Sequence, residues 1–160
     1  YQSQNFQLGY DVPANYEIND NIYNALEIVL KNDNSQLFVS CSGKGEVRVF
    51  DTLNGDSLKY YSTGMMPWHM AISKDDRYLY TTNRMSNNVV QTDLSSGDTK
   101  TFTIENLIMP HGIAITADDT KLLVSSSMGD AVYIVDAQSM MLLHSIFLAD
   151  INMDMDIKIS

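Results

Sequence analysis

The residues best suited to chemistry gather just ahead of two strand-like segments. Trp68 and His69 precede one segment, and His111 precedes the other; Met66 and Met109 lie beside them. Soft thioethers and borderline imidazoles are ligands that favour copper. His69, His111, Met66 and Met109 are therefore candidate metal ligands. Trp68, His69 and His111 form a candidate binding site for a small ligand.

The same residues also have a structural interpretation, which we favour. Pro-His-Gly (110–112) is a tight lead-in to a strand, where the histidine ring can hydrogen-bond a neighbouring loop. Methionines fill irregular space where elements converge. The two histidines are far apart in sequence, so spacing neither supports nor excludes ligation. A small-ligand or partner site and a metal site stay open as alternatives.

Composition excludes several other functions. The single cysteine, Cys41, excludes an intrachain disulfide and a covalently attached c-type haem within these residues, and its strand context predicts a packed side chain. No Gly-rich phosphate loop, serine elbow or zinc motif occurs. A net charge of −10 argues against nucleic acid and anionic membranes. No apolar run is long enough to span a membrane. We expect no cofactor to bind within these residues.

A repeat of about 42 residues positions the candidate site. Its anchors are aspartates at strand ends, polar turns, and the apolar strands that follow those turns. The aspartates are Asp51, Asp93 and Asp136; the turns are KNDN (31–34), SKDD (73–76) and TADD (116–119); the strands are QLFVS (36–40), YLYTT (78–82) and KLLVS (121–125). This period is typical of β-propellers, in which each blade is a four-stranded antiparallel sheet. No helical apolar stripe competes, so the predicted fold is all-β.

The repeat predicts one β-propeller domain, or a segment of one, over residues 1–160. Whole blades are expected at about 25–66, 67–109 and 110–152, with partial blades at 1–24 and 153–160. DIKIS near the C-terminus matches GIAIT in the third blade, and NFQLGYD near the N-terminus matches the later strands of a preceding blade. Propellers close with roughly four to eight blades. A segment of a larger propeller is therefore favoured over a four-bladed closure.

Turn residues support the same division. Asn54-Gly55 and Ser96-Gly97 are hairpin signals because their central positions tolerate positive φ, whereas Gln138-Ser139 replaces this signal in the third blade. The recurring aspartates are expected to cap these turns. The acidic pairs in SKDD and TADD also recur with the repeat and have no nucleophile nearby. They are interpreted as structural.

One strand carries a family resemblance. LYTTN (79–83) is similar to the strand, roughly LYVTN, on which YVTN-type β-propeller repeats are centred. PHGIAITADD (110–119) and the pattern V-x-V-x-D-x-x-x-G (47–55) extend the match, which covers residues 25–160. Blade one departs from it, since Ala-Leu-Glu replaces the Pro-x-Gly strand entry. WD-repeat propellers share the period, but their Gly-His and Trp-Asp pairs are missing.

The resemblance implies a periplasmic or cell-surface propeller. Relatives include adhesive or scaffolding surface proteins, propeller portions of haem-dependent nitrite reductases and quinone-dependent amine dehydrogenases, and sugar lactonases. Fold alone does not choose among them. The first hypothesis is a non-catalytic binding or scaffold module, whose partner is another protein or the remaining blades of the propeller. The rival is the propeller portion of a periplasmic redox enzyme (copper, haem or quinone dependent) or a lactonase, with its site at the channel mouth around His69 and His111.

Overall fold

A computed structural model describes residues 23–148, which form three four-stranded antiparallel sheets. In each sheet, strands adjacent in sequence pair with each other. The all-β prediction of four-stranded blades is confirmed, and the sheets are called blades one, two and three. Residues 1–22 and 149–160, which carry most of the expected partial blades, lie outside the described residues. The strands are β1 (Ala25–Leu30), β2 (Gln36–Cys41), β3 (Glu46–Asp51) and β4 (Ser57–Ser62) in blade one; β5 (Pro67–Ile72), β6 (Tyr78–Asn83), β7 (Asn88–Asp93) and β8 (Thr99–Phe102) in blade two; and β9 (Pro110–Ile115), β10 (Lys121–Ser126), β11 (Ala131–Asp136) and β12 (Leu142–Phe147) in blade three.

The aspartates that end β3, β7 and β11 cap the turns after them. Asp93 Oδ1 accepts hydrogen bonds from the Ser95 backbone N–H at 2.9 Å and from the Ser95 hydroxyl at 2.5 Å. These bonds favour the carboxylate and hold the pKa of Asp93 at about 2. Asp136 Oδ1 accepts from the Ser139 backbone N–H at 2.7 Å in the equivalent turn. The predicted capping role is confirmed.

The turn residue with positive φ is a glycine in two blades and a methionine in the third. Gly55 and Gly97 have φ of 77° and 83°, and Met140 has φ of 60°. The residue that replaces the turn glycine in blade three is thus Met140, one residue after the Gln138-Ser139 pair expected from the sequence. A left-handed non-glycine residue costs about 1–2 kcal/mol. Met140 is 7% exposed and packs in the core, and burying such a side chain contributes about 1.5–3 kcal/mol, which offsets the strain.

The core lies between the blades, because alternate side chains of each strand point to opposite faces of its sheet. Both interfaces join apolar side chains of one blade to those of the next. Phe38, Val47, Val49, Tyr61, Met70 and Leu79 form the cluster between blades one and two. Tyr80, Val89, Phe102, Ile104, Leu107, Leu122, Val124, Ala131, Tyr133, Val135, Ala137 and Met140 form the cluster between blades two and three. Cys41 is also buried, which confirms its predicted packed position.

A buried hydroxyl links blade two to blade three. The pairing of β5 with β6 is interrupted between Pro67 and Met70. Within this gap, Thr82 Oγ1 accepts from the His69 backbone N–H at 3.0 Å and donates to the His111 carbonyl at 2.9 Å. One side chain therefore satisfies a strand N–H that lacks a ladder partner and also fixes the first strand of the following blade.

The same device recurs at Ser40, the equivalent position in blade one. Its Oγ accepts from the Glu27 backbone N–H at 3.0 Å and donates to the Trp68 carbonyl at 2.9 Å. In blade three, Ser125 Oγ accepts from the Gly112 N–H at 2.8 Å. A hydroxyl at this position is thus a repeating element of the fold.

The two aspartates of each acidic pair at the hairpin tips form different hydrogen bonds. The first aspartate caps its own turn; Asp75 Oδ1, for example, accepts from the Arg77 backbone N–H at 3.0 Å. The second reaches the preceding blade. Asp76 Oδ1 accepts from the Asn32 backbone N–H at 2.9 Å, and Asp119 Oδ2 accepts from the Lys74 N–H at 2.9 Å. The structural interpretation of these pairs therefore agrees with the contacts.

Replacing Thr82 by valine tests the hydroxyl link. The variant keeps the shape of the side chain, which is 0% exposed, but leaves the His69 N–H and the His111 carbonyl without their partner. We expect the free energy of unfolding in urea to fall by about 1–3 kcal/mol. The matched control is Thr101→Val on the exposed part of β8, which should change it by less than about 0.5 kcal/mol. Equal effects of the two variants would contradict the proposed link.

Candidate functional site

The candidate residues lie at the entries of first strands. Trp68 and His69 are in the first half of β5, and His111 is the second residue of β9. β1, β5 and β9 are neighbours across the blades, so their entries lie side by side. The structure brings together all three residues predicted from sequence and adds Glu27 and Arg84. We call these five residues the strand-entry site.

Trp68 fixes the ring of His111. The indole Nε1–H donates to His111 Nε2 at 3.0 Å, and the ring centroids are 5.5 Å apart. An indole N–H is a donor only, so His111 Nε2 must be the acceptor. In the neutral ring, the proton is therefore on Nδ1. This bond also joins blade two to blade three.

His69 packs edge-on against His111, with centroids 4.8 Å apart and an interplanar angle of 72°. Burial lowers the pKa of His111 below its ordinary value of 6.5, and the charges of His69 and Arg84 lower it further. His111 is consequently a neutral imidazole at neutral pH. With Nε2 engaged by Trp68, its Nδ1–H is the group left to meet a ligand.

Arg84 lies over a ring of Trp68. Its guanidinium carbon lies 4.8 Å from the centroid of a Trp68 ring, a cation–π arrangement. Its Nε is buried, and among residues 23–148 it has no hydrogen-bond partner. Sequence reasoning missed Arg84, although it directly follows the LYTTN strand. A buried guanidinium N–H near Trp68 and His111 gives the site a potential donor for an anionic group.

Glu27 is the other residue that sequence reasoning missed. Its carboxylate accepts a hydrogen bond from the Met70 backbone N–H, which ties blade one to blade two. Burial raises the pKa of Glu27, while that hydrogen bond and the charge of His69 act in the opposite direction. The available signal was the Ala-Leu-Glu entry of blade one, which departs from the Pro-x-Gly pattern. That departure places a carboxylate near His69.

Met66 and Met109 directly precede the strands that carry the histidines. Met66 lines a groove of about 690 Å³ between the loops of blades one and two, and neither histidine lines that groove. Met66 and Met109 have positive φ of 60° and 51°, so each marks a turn into a strand. Within the described part of the chain, no group of three or more His, Cys, Asp or Glu residues could hold a metal ion.

The fold resembles known β-propellers, although no family model and no curated protein matches the chain. Hydrazine synthase of Kuenenia stuttgartiensis matches with a TM-score of 0.75 and 23% identity, over 87% of this chain and 39% of that one. The WD40 repeats of RRP9 match with a TM-score of 0.67 and 20% identity, over 75% of this chain and 37% of that one. A periplasmic gluconolactonase of Pseudomonas aeruginosa matches with a TM-score of 0.66 and 20% identity, over 78% of this chain and 40% of that one.

These likenesses define the class of protein. The described residues are blades of a β-propeller, and at such identities the likeness shows the fold alone. The chain spans less than half the length of these three proteins. They include both enzymes and WD40 repeats, so the fold does not determine the function. No helix within residues 23–148 is long and apolar enough to cross a membrane.

The environment of His111 can be tested by histidine NMR titration. We expect its pKa to lie below 6.5 in the folded protein and to rise in Arg84→Gln, because a nearby positive charge is removed. Arg77→Gln is the matched control, since it makes the same change in net charge at an exposed turn residue. A His111 pKa that responds equally to both substitutions would contradict the arrangement.

The lowered His111 pKa also predicts a pH dependence of stability. As pH falls through 6.5, the unfolded chain takes up this proton before the folded chain does. The contribution of His111 to stability is therefore present above pH 6.5 and is lost as pH falls toward its folded-state pKa. Glu27, with a raised pKa, acts in the opposite direction at lower pH. The His111 contribution is measured as the difference between wild type and His111→Gln, both of which contain Glu27.

Proposed function

We propose that the chain is part of a YVTN-type β-propeller that acts as a non-catalytic binding or scaffold module outside the cytoplasm. The LYTTN strand and the PHGIAITADD segment support the family, and the 42-residue repeat with its capped turns agrees with it. The extracytoplasmic location rests on this resemblance. A solved structure similar to the chain is described as a periplasmic gluconolactonase, which is compatible with that location.

The use of polar atoms at the strand-entry site is the observation that carries the proposal. Trp68 donates to His111, Glu27 accepts from Met70, and the His111 carbonyl accepts from Thr82. Each of these bonds joins one blade to the next. The Trp68 indole, His111 Nε2 and the Glu27 carboxylate thus take part in holding the frame. A rigid frame that carries loops is suited to binding a partner.

The groove beside Met66 is the surface we assign to a protein partner. Met65 and Met85 line it and are 66% and 55% exposed, and Asn24 and Lys44 add polar contacts. Methionine side chains are flexible and polarizable, so they adapt to apolar side chains of a partner. The acidic character of the chain disfavours nucleic acid as that partner.

The rival function is the propeller portion of a periplasmic redox enzyme or a lactonase-like enzyme. The contact between His69 and His111, 4.8 Å between ring centroids, supports it, as does the carboxylate of Glu27 near His69. Two imidazoles and a carboxylate can perform acid–base chemistry. Similar structures described as hydrazine synthase and gluconolactonase make an enzyme a reasonable alternative.

A double variant separates the two functions. In the scaffold role, His69→Ala with His111→Ala removes one inter-blade hydrogen bond and should lower the unfolding free energy by about 1 kcal/mol, with the fold retained. The exposed His144→Ala is the control for loss of a histidine and should leave stability unchanged. Circular dichroism and urea unfolding provide the measurements.

Measurements of enzymatic activity and of bound cofactor test the rival, enzymatic function. Purified chain is measured by elemental analysis, by visible absorption, and for hydrolysis of glucono-lactone. The scaffold role predicts no bound copper, haem or quinone and no hydrolysis above background. Hydrolysis that the double histidine variant abolishes but His144→Ala preserves would establish the rival function instead.

A further inference from the structure

Arg84 differs from the other arginines of the chain in having no carboxylate partner within residues 23–148. Arg48 pairs with Glu46 at 2.7 Å, and Arg77 pairs with Asp93 at 3.3 Å. The chain contains 20 acidic and 10 basic residues, so carboxylates are plentiful. A guanidinium that pairs with none of the described ones keeps its charge available for a ligand.

The repeat does not require an arginine at this position. The backbone N–H of Arg84 donates to the Met66 carbonyl at 2.9 Å, and Ser42 and Ser127 make the equivalent backbone bonds in blades one and three. In those two blades the serine hydroxyl also donates to the same carbonyl, at 3.2 and 2.9 Å. A serine therefore completes this turn. The long charged side chain of Arg84 serves some purpose other than forming the turn.

The guanidinium of Arg84 extends to the strand-entry site. Its carbon lies 4.8 Å from the centroid of a Trp68 ring. Nε is buried without a partner, whereas the Nη groups are not buried and form no hydrogen bond within residues 23–148. The positive charge also acts on His111, which places the two side chains close together. The accessible donors of Arg84 therefore lie near His111.

His111 offers a second donor. Its Nε2 accepts from the Trp68 indole, so the ring proton is on Nδ1. This Nδ1–H donates to no group within residues 23–148. Arg84 and His111 both adjoin Trp68, so one small ligand can reach both of them. Two donors and no free acceptor between them select a ligand that accepts hydrogen bonds.

The charges around the site indicate which anion it suits. The planar fork of a guanidinium matches the two oxygens of a carboxylate. Arg84 supplies one positive charge, and the carboxylate of Glu27 lies close enough to His69 to interact with its charge. A second negative charge on the ligand would be repelled by Glu27. The rings of Trp68 and His69 can contact the carbon skeleton of an organic acid.

We propose that the strand-entry site binds a small organic acid with a single carboxylate, held by the guanidinium of Arg84 and the Nδ1–H of His111. This site is separate from the groove beside Met66, which we assigned to a protein partner. The proposal therefore does not depend on the scaffold role.

Trp68 is the only tryptophan of the chain, so its fluorescence reports on this site alone. The full chain is titrated at neutral pH and constant ionic strength with butyrate, with its uncharged counterpart butyramide, and with inorganic phosphate. We expect a saturable change with butyrate, which should bind at least about tenfold more tightly than butyramide, because only butyrate forms charge-assisted hydrogen bonds. Phosphate should bind more weakly than butyrate.

Variants of Arg84 identify what holds the carboxylate. Arg84→Gln should weaken butyrate binding at least about tenfold, whereas Arg77→Gln, with the same change in net charge, should alter it by less than about twofold. Arg84→Lys keeps the charge but loses the planar fork, so it should reduce the preference for butyrate over phosphate. Circular dichroism checks the fold of each variant. If Arg84→Gln does not fold, Arg84→Lys and the comparison of ligands decide.

Four results would overturn the proposal. Equal binding of butyrate and butyramide would show that charge is not recognised, and tighter binding of phosphate would indicate a phosphate site instead. Equal effects of Arg84→Gln and Arg77→Gln would indicate a general effect of net charge. No saturable response to butyrate would show that the guanidinium is not open to a ligand. None of these results bears on partner binding at the groove beside Met66, so the two proposals fail separately.

Discussion

The side-chain hydroxyl that links adjacent blades is the interaction on which the rest of this structure depends. Where the first strand of a blade departs from regular pairing, a backbone N–H loses its ladder partner, and an unpaired buried N–H is costly. Thr82 and Ser40 supply the missing acceptor and use their own hydrogen to hold the next blade. The same hydroxyl therefore pairs a backbone N–H of its own blade and holds the next blade in place. The apolar clusters provide most of the burial, and the hydroxyls set where each first strand lies within it.

The strand-entry site follows from that placement. Because the His111 carbonyl is fixed by Thr82, its ring lies within reach of the Trp68 indole and against His69. Burial and neighbouring positive charge then keep His111 neutral. The same groups could form a catalytic centre if more of their polar atoms faced solvent. In this chain, most of the hydrogen bonds found there hold blades together, which is why we favour a binding module.

The repeat allowed the fold to be predicted, because each blade has the same pattern of polar turns, apolar strands and capping aspartates. Asp51, Asp93 and Asp136 cap equivalent turns, and their spacing, together with the polar turns and the apolar strands after them, defined the blades. The site was predicted in part. Trp68, His69 and His111 stood out by type, but Glu27 and Arg84 did not. Both are ordinary charged residues in sequence, and only the approach of separate blades places them there. Met140 was missed because its buried side chain offsets a strain that usually demands glycine.

The inter-blade contacts also give the stack a direction. Hydroxyls such as Thr82 reach forward to the following blade, whereas Asp76 and Asp119 reach back to the preceding one. Blade two therefore uses different groups on its two sides, a hydroxyl toward blade three and a carboxylate toward blade one. Since the two described junctions use equivalent positions, a gene duplication of one repeat would bring its own junction with it. A stack of such blades can thus be lengthened or shortened in whole units, without new contacts at the point of insertion.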